Sequence, residues 1–262
     1  MLKRILIITI TTFALTLNVL AGTDGELILK KNKPSEIKDC SEKFNRATFA
    51  FNQVLDGAIF KPVASVYKKL PSPVKTGMGN SLDNLSNLIT IPNNILQGDF
   101  VKAGVNTGRL VLNTTVGILG IFDVAQQLGL EEYEKEDYGQ SLAKHGVGPG
   151  CYIVLPVLGP STARDTIASV ANFTGGDAWY NVTVKNDTQY FSEVDFYSSK
   201  ITSGVDFRAK NFNSIENLEK NSLDFYASVK SLYLQDRQQK ILNTKKIIET
   251  QDDSDWEEIE NN

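Results

Sequence analysis

The feature that most constrains the fold is a glycine- and proline-rich stretch inside an otherwise helix-patterned chain. It contains Gly139, then Gly146-Val147-Gly148-Pro149-Gly150, and continues through the apolar run Cys151–Leu158, which includes Pro156. Glycine favours turn conformations and proline removes a backbone donor, so this stretch cannot be regular helix. It predicts an extended, hairpin-like loop packed on a helical core.

The first residues carry the pattern of an export signal. Lys3 and Arg4 are followed by Ile5–Ala21, a run without a charge that ends in small residues. A basic start, a short apolar run and small residues predict a signal peptide over 1–21, cleaved after Ala21. A membrane anchor is the alternative, although the run is short for a span of about 20 residues. Residues 22–38 are polar and lysine-rich, which indicates a tether.

The charge distribution separates the body of the chain from its end. The formal net charge is −4 for 262 residues, and residues 251–262 hold six acidic residues and no basic one. Without residues 1–21 and this end, the acidic and basic residues balance. We therefore predict an acidic, disordered tail over 251–262. The near-neutral body argues against a nucleic acid partner, which usually requires a basic stripe.

A helical pattern begins at Ser41, where apolar side chains recur about every 100° around a helix. That stripe consists of Phe44, Thr48, Phe51, Leu55 and Ala58, whereas Phe49 and Phe60 fall on the polar side. Two interpretations stay open. One is an ordinary amphipathic helix with two stray aromatic residues. The other is a helix with apolar surface on two sides, one toward protein and one toward lipid.

The prolines and apolar runs predict the later helices. Pro71-Ser72-Pro73 ends one helical segment, and Pro92 is expected to interrupt the next, with a new helix from about Phe100. The stretch Gly104–Phe122 has one charge, Arg109. It predicts a helix buried against others or, alternatively, a semi-polar helix at a membrane surface. The last helix is expected from Ser222 to about Thr250, with a seam at Ala227, Leu234, Ile241 and Ile248.

Residues that could support catalysis are sparse. His145 is the only histidine, which excludes a site with several histidine ligands and weakens any Ser-His-Asp interpretation. The sequence has no G-x-S-x-G elbow and no phosphate-binding P-loop. Asp123, Asp137 and Asp165 are dispersed acids that the sequence alone does not pair. We therefore predict no catalytic residues, no metal site and no cofactor.

Short motifs along about 200 residues, from Asp39 to Gln239, resemble one family in the same order. They are Phe44-Asn45-Arg46, Phe51-Asn52, Leu55-Asp56, Lys61-Pro62-Val63-Ala64, Leu96-Gln97-Gly98-Asp99, Arg109, Leu112-Asn113-Thr114, Gly117, Phe122-Asp123-Val124-Ala125, Gly146-Val147-Gly148, Leu155-Pro156, Gly159-Pro160-Ser161, Arg164-Asp165, Leu223-Asp224-Phe225-Tyr226 and Tyr233-Leu234-Gln235. Each motif is modest, but their collinearity is specific. The chain resembles the MlaA/VacJ family, outer-membrane phospholipid-transport lipoproteins of Gram-negative bacteria.

The resemblance implies an all-α fold, a compact ring-like bundle of amphipathic helices over 39–250, seated in the inner leaflet of the outer membrane. Its amphipathic channel is expected to take phospholipid from the outer leaflet and pass it to a periplasmic lipid carrier, which maintains lipid asymmetry. A trimeric porin is the expected partner. Phe44, Phe49, Phe51, Leu55 and Phe60 are expected to contact the membrane or line the lipid path. A soluble periplasmic lipid-binding or scaffold protein is the alternative.

Both cysteines depart from the family's pattern. The usual lipoprotein signal ends in a cysteine directly after small residues, and this sequence has none between Ala21 and Asp39. Cys40 and Cys151 instead stand where the family commonly has proline. In an oxidising compartment such a pair suggests a Cys40–Cys151 disulfide, with two free buried thiols as the alternative.

Overall fold

The computed structural model describes residues 37–172, 177–184 and 192–242. The expected signal peptide over 1–21, nearly all of the tether over 22–38 and the acidic tail over 251–262 lie outside the described residues.

The described part of the chain is mostly helical, which confirms the predicted fold class. The helices are α1 (Glu42–Leu55), α2 (Lys61–Lys68), α3 (Ser72–Leu96), α4 (Phe100–Thr115), α5 (Val124–Gln127), α6 (Tyr138–Lys144), α7 (Ala163–Ala171), α8 (Glu193–Lys210), α9 (Phe212–Asn221) and α10 (Phe225–Ile241). Two π-helical turns cover Asp56–Phe60 and Tyr180–Val184, and two strands are β1 (Tyr152–Leu155) and β2 (Gly159–Thr162).

The chain runs through α1, the π-helical turn Asp56–Phe60 and α2 without leaving a helical conformation, and this continuous segment is called the α1–α2 rod. It ends at Lys68, just before Pro71 and Pro73. Pro71 precedes the first residue of α3 and Pro73 lies in its first turn, where the missing backbone donor has no helical partner to lose. The prolines thus separate two helices, as predicted.

Pro92 does not interrupt α3, so that prediction is wrong. The helix continues to Leu96, and α4 begins at Phe100 as expected. Side chains near the proline supply extra hydrogen bonds to the backbone. Asn93 Nδ2 donates to the Ile89 carbonyl (2.8 Å), and Thr90 Oγ1 donates to the Ser86 carbonyl (3.1 Å). Because α3 also packs along α4, its tertiary contacts outweigh the loss of one donor.

The Gly/Pro-rich stretch forms an antiparallel hairpin of β1 and β2, with Tyr152 opposite Thr162 and Leu155 opposite Gly159. Val157 in the connecting turn (φ 67°) and Gly159 at the start of β2 (φ 81°) have left-handed backbones. Thr162 then caps α7, because its side chain accepts a hydrogen bond from the Asp165 amide. The hairpin therefore passes directly into a helix.

Two small clusters of buried apolar side chains join elements that are distant in sequence. Ala64 and Tyr67 of α2 pack against Val205 and Ala209 of α8. The second cluster joins the hairpin to α10 and contains Tyr152, Val154, Tyr226 and Leu234.

The apolar seam predicted for the last helix is only partly correct. Leu234 and Ile241 are buried as expected, but Ala227 is exposed and the neighbouring Tyr226 is buried instead. Ile248 lies outside the described residues.

Candidate functional site

The helix pair α3 and α4 buries polar and small side chains rather than large apolar ones. The buried residues are Gly77, Gly79, Asn84, Asn87, Thr90, Asn93 and Asn94 of α3, and Ala103, Asn106, Arg109 and Asn113 of α4. In proteins surrounded by water, asparagine and arginine are mostly exposed, whereas valine, leucine and isoleucine are inside. This helix pair therefore buries polar side chains where a helix pair of a soluble protein usually buries apolar ones.

Amide side chains form direct hydrogen bonds between α3 and the region of α4. Asn106 Nδ2 donates to Asn94 Oδ1 (2.8 Å), and Asn84 Nδ2 donates to Thr114 Oγ1 (2.9 Å). Hydrogen bonds of this kind join helices where apolar burial is not available as a driving force.

Arg109 and Asp123 form the charged end of this polar interior. The Arg109 guanidinium donates to the Asp123 carboxylate (2.8 Å) and to the Leu130 carbonyl (2.6 Å). Burial alone raises the pKa of Asp123, but hydrogen bonds from Asn113, Gln126 and Arg109 outweigh it and lower that pKa. Asp123 therefore remains a carboxylate, and its charge is matched inside the fold.

The outer side of the same helix pair is apolar. Phe100 is 69% exposed and Val101 is 76% exposed, and Ile95 and Leu96 at the end of α3 are exposed as well. These four residues lie on either side of the link, residues 97–99, between α3 and α4. Exposed apolar surface of this kind marks an interaction site.

A second apolar surface is the link between α4 and α5, called here the 116–122 loop. Its exposed members are Val116, Ile118, Leu119, Ile121 and Phe122. Ile118 (φ 53°) and Leu119 (φ 56°) both adopt left-handed backbones. For a β-branched residue such as Ile118 this conformation is a genuine outlier, and strain of this kind concentrates at functional sites.

Specific contacts impose the strained conformation. The Gly120 amide donates to the Asn113 carbonyl (2.8 Å), and Asn80 Nδ2 donates to the Ile121 carbonyl (3.1 Å). Gly117 fits only because it has no side chain, since a Cβ there would lie 2.2 Å from the Phe122 carbonyl oxygen. The loop thus presents its apolar side chains outward in one fixed shape.

The α1–α2 rod carries a third exposed apolar surface. Phe44 is 64% exposed and Phe51 is 51% exposed, and they lie on one face with Val54. Ile59 in the π-helical turn and Val63 and Val66 in α2 are exposed too. Of the five residues expected to meet lipid, Phe44 and Phe51 lie on this surface, and Leu55 is half-buried beside it.

Phe49 does not point to the polar side as the sequence pattern suggested. Its ring packs edge-on against Phe225 (centroids 5.3 Å apart) and Tyr226 (5.5 Å), at the margin of the cluster that joins the hairpin to α10. Phe60 is half-buried as well. Phe49 breaks the helical stripe because its ring faces α10.

Asn45 and Asn52 attach α1 to the outer edge of the hairpin. Asn45 Nδ2 donates to the Tyr152 carbonyl (3.0 Å), and its Oδ1 accepts from the Val154 amide (2.9 Å). Asn52 repeats the arrangement with the Leu155 carbonyl (2.9 Å) and the Val157 amide (2.8 Å). The two side chains act as a neighbouring strand, which satisfies an edge that would otherwise be unpaired. Their spacing of seven residues was the available signal in the sequence.

A disulfide links Cys40 to Cys151 at the start of the hairpin, with 5.6 Å between their Cα atoms. Non-covalent contacts surround it. The Tyr152 amide donates to the Lys38 carbonyl (2.9 Å), and Asp39 accepts hydrogen bonds from Tyr226 and Lys230. The N-terminal end of the described chain is thereby attached to both the hairpin and α10.

A charge cluster forms around the buried Arg237 and includes the buried Asp165 and the half-exposed Asp137. Arg237 of α10 donates to both oxygens of Asp137 (2.6 and 2.7 Å) and to both oxygens of Asp165 (3.0 and 2.9 Å). Burial raises the pKa of Asp137, but the hydrogen bonds and charge of Arg237 outweigh it and lower that pKa to about 2. The sequence left these acids unpaired, and the structure brings two of them to one arginine.

A cleft of about 380 Å³ lies between α1 and the start of α10. Its one basic residue, Arg46, is already paired with Asp224 (2.7 Å) and Glu42 (2.7 Å). The cleft therefore offers no free positive charge to a ligand.

Neither a metal site nor a membrane span emerges within the described ranges. No three His, Cys, Asp or Glu side chains there are close enough to hold a metal ion. His145 follows α6, with its Nδ1 2.8 Å from the Ser141 carbonyl. Among the helices described, none combines the length and apolar character needed to cross a bilayer.

Comparisons with known proteins agree with the motifs. The family model described as MlaA lipoprotein matches residues 37–240. An uncharacterized protein of Rickettsia bellii is 36% identical over 205 residues, covering 78% of this chain and 76% of the relative. The intermembrane phospholipid transport system lipoprotein MlaA of Haemophilus influenzae is 30% identical over 223 residues (83% and 84%). Its Escherichia coli counterpart is 32% identical over 201 residues (75% and 76%).

A solved structure has the same fold. It comes from work on the structural basis for maintenance of bacterial outer membrane lipid asymmetry, and it aligns with a TM-score of 0.64 at 32% identity. The alignment covers 78% of this chain and 98% of the solved one. The family model, the relatives and the fold agree, and this chain belongs to the MlaA lipoprotein family.

Proposed function

We propose that this protein transports phospholipid between membranes, from the outer leaflet of the outer membrane to a periplasmic lipid carrier. It would act at the periplasmic side of the outer membrane, through the ring-like channel that the family resemblance implies. The relatives named as lipoproteins of the intermembrane phospholipid transport system support this proposal. A trimeric porin and the carrier are its expected partners.

The observation that carries the proposal is the reversed polarity of α3 and α4. A helix pair with asparagines inside and Ile95, Leu96, Phe100 and Val101 outside is stable where its outer surface meets acyl chains. Each acyl CH₂ group left in water costs about 0.8 kcal/mol, so a lipid transporter must keep both its own apolar surface and the moving tails shielded. Transport requires differential binding of lipid and no bond chemistry.

The alternative is a soluble periplasmic lipid-binding or scaffold protein. Such a protein would have to leave the 116–122 loop and the apolar face of the α1–α2 rod in water. Native mass spectrometry of the full chain extracted in detergent separates the two. Bound phospholipid in membrane-extracted material supports transport, whereas an empty monomer recovered from the soluble fraction supports the alternative.

The first prediction concerns the apolar face of the α1–α2 rod. Replacing Phe44→Asp and Phe51→Asp together is expected to weaken binding to phosphatidylcholine vesicles at least about 100-fold. The reason is that the transfer of each exposed phenyl ring from water into acyl chains is favourable by about 1.5–3 kcal/mol. Vesicle co-flotation of the detergent-purified protein measures the effect.

A matched control places the same charges on exposed leucines outside this face. Leu223 precedes α10 and Leu232 lies on it, and both are exposed. The double variant L223D/L232D is expected to bind vesicles as the original chain does. Equal loss of binding in both double variants would contradict a membrane contact specific to the rod.

The second prediction concerns the strained backbone and the exposed apolar side chains of the 116–122 loop, whose effects are measured separately. Ile118→Asn and Leu119→Asn together are expected to raise the free energy of unfolding by about 1 kcal/mol, because asparagine adopts left-handed backbones more readily. The same variant is expected to bind vesicles more weakly, since two exposed apolar side chains are lost. Urea unfolding and co-flotation measure the two effects. Unchanged vesicle binding would argue against membrane contact by the loop.

A further inference from the structure

Three lysines meet at the corner between α2 and α3. Lys68 ends α2, Lys69 follows it, and Lys75 lies in the first turn of α3. Lys75 Nζ donates to the Lys68 carbonyl (3.1 Å), so the turn that contains Pro71 and Pro73 brings the start of α3 back to the end of α2. We call Lys68, Lys69 and Lys75 the basic corner.

Two carboxylates that bind residues of α2, Asp206 and Glu216, are also matched by partners outside the basic corner. Asp206 accepts hydrogen bonds from Tyr67 (2.9 Å) and Lys210 (2.8 Å). Glu216 is bound by Lys61 and by Arg208. These acids hold α2, α8 and α9 together and leave little negative charge for the corner.

The lysines of the basic corner carry surplus positive charge. Lys68 Nζ contacts the neutral Asn213 Oδ1 (3.2 Å) and lies 4.3 Å from the Phe212 ring centroid. In the ranges that the structure describes, none of the three lysines forms an ion pair. The corner thus differs from Arg46 in the cleft, whose charge is compensated by two carboxylates.

Exposed apolar residues lead to the basic corner from both helices. Val63 and Val66 of α2 are exposed one turn apart, and Val74 of α3 is exposed beside Lys75. Val66 is followed by Lys69 at the same helical spacing, so the apolar face of the α1–α2 rod ends at positive charge. An apolar face bordered by lysines is the arrangement that lies at the boundary between acyl chains and lipid headgroups.

We propose that the basic corner binds the headgroups of anionic phospholipids in the leaflet that the α1–α2 rod contacts. The proposal rests on the proposed function, because it requires that the rod lies in a membrane. Two features select lipid over an acidic protein or a free anion. The surplus charge is continuous with exposed valines, and Lys69 is exposed while Lys68 and Lys75 are partly exposed.

The test compares vesicles of phosphatidylcholine with vesicles in which about a third of the lipid is phosphatidylglycerol. The original chain is expected to bind the anionic vesicles more tightly. The triple variant K68Q/K69Q/K75Q is expected to lose about 100-fold in affinity for them, or about fivefold for each lysine. Its affinity for phosphatidylcholine should stay unchanged, and raising the salt from about 0.1 M to about 1 M should remove the original chain's preference.

Two further variants keep the result interpretable. K38Q/K144Q/K220Q removes three exposed lysines that lie outside the basic corner, and it should retain the preference for anionic vesicles. K68R/K69R/K75R keeps the charge and should retain the preference as well. A thermal melt of each variant shows whether the loss of Lys75 as a partner of the α2 terminus has altered the fold.

The results that would overturn the basic corner as a lipid site differ from those that would overturn the proposed function. A triple glutamine variant that binds anionic vesicles like the original chain overturns the basic corner as a lipid site. The absence of any preference in the original chain does the same. Loss of binding to both kinds of vesicle in F44D/F51D tests membrane contact by the rod, independently of the lysines.

Discussion

Replacing Arg237 with methionine is expected to lower the free energy of unfolding by about 3 kcal/mol, the lower end of the cost of breaking a buried ion pair, because Asp165 keeps its ion pair with Arg164 (3.0 Å). Arg237 and Asp165 are both about nine-tenths buried, with side chains 11% and 8% exposed. Removal of the guanidinium also removes four hydrogen bonds that join α10 to Asp137 and Asp165. Urea unfolding of the variant, compared with the original chain, measures the loss.

The same variant has a characteristic dependence on pH. The pKa of Asp137 is about 2 in the folded protein, below its ordinary value of 3.8. The stability that the ionised Asp137 contributes is therefore fully present above its ordinary pKa. It is lost as the pH falls through the pKa of Asp137 in the folded protein. The difference in stability between the original chain and R237M should narrow as the pH falls from about 4 to about 2.

Lys240 of the same helix provides the control. Its ion pair with Asp236 (2.8 Å) is exposed on both sides, so K240M is expected to change the stability by less than about 0.5 kcal/mol. R237K retains the charge but not the paired geometry, and it should recover part of the loss. A stability of R237M within about 0.5 kcal/mol of the original chain would show that the cluster does not hold the fold together.

The periodicity of the sequence predicts where helices occur better than it predicts what they bury. In α3 it separates polar from apolar residues, but it does not say which side faces the interior. That depends on the surroundings, since water and acyl chains favour opposite arrangements. Asn84, Asn94 and Asn106 are buried, and rules derived from soluble proteins would not have placed them inside.

Sequence patterns also fail to predict local structure where contacts with residues distant in sequence determine it. The Phe49 ring does not follow the predicted helical pattern because it packs against Phe225 and Tyr226, which are distant in sequence. Pro92 stays inside α3 because α4 packs beside it. Asn45 and Asn52 bond to β1, which lies more than a hundred residues away in sequence. The motifs indicated the family, whereas these pairings required the three-dimensional arrangement.

The three apolar surfaces and the charge clusters divide the molecule by task. Asn45 and Asn52 attach the hairpin to α1, and Arg237 attaches α10 to Asp137 and to Asp165 of α7. The exposed residues of the α1–α2 rod and the 116–122 loop then project from a structure that polar contacts hold rigid. A protein whose apolar residues lie largely on its surface needs other interactions to hold its elements together. Here buried hydrogen bonds and ion pairs do so.

Removing the Cys40–Cys151 disulfide is expected to lower the free energy of unfolding by about 2–5 kcal/mol. The two cysteines are 111 residues apart, so the bond closes most of the described chain into one loop. In the chain-entropy account, closing a loop of about 100 residues restricts the unfolded state by about 4.7 kcal/mol. The C40A/C151A variant should therefore unfold at a lower denaturant concentration than the oxidised chain.

Reductant supplies the internal control for this prediction. Dithiothreitol should lower the unfolding midpoint of the original chain to that of C40A/C151A, and it should leave the variant unchanged. The native contacts around the bond, from Tyr152 to Lys38 and from Asn45 to the hairpin, stay in place in both proteins. The reduced chain should accordingly remain folded in the absence of denaturant. Two free thiols in the purified protein, titrated under denaturing conditions, would contradict the bond, because an oxidised pair leaves none to react.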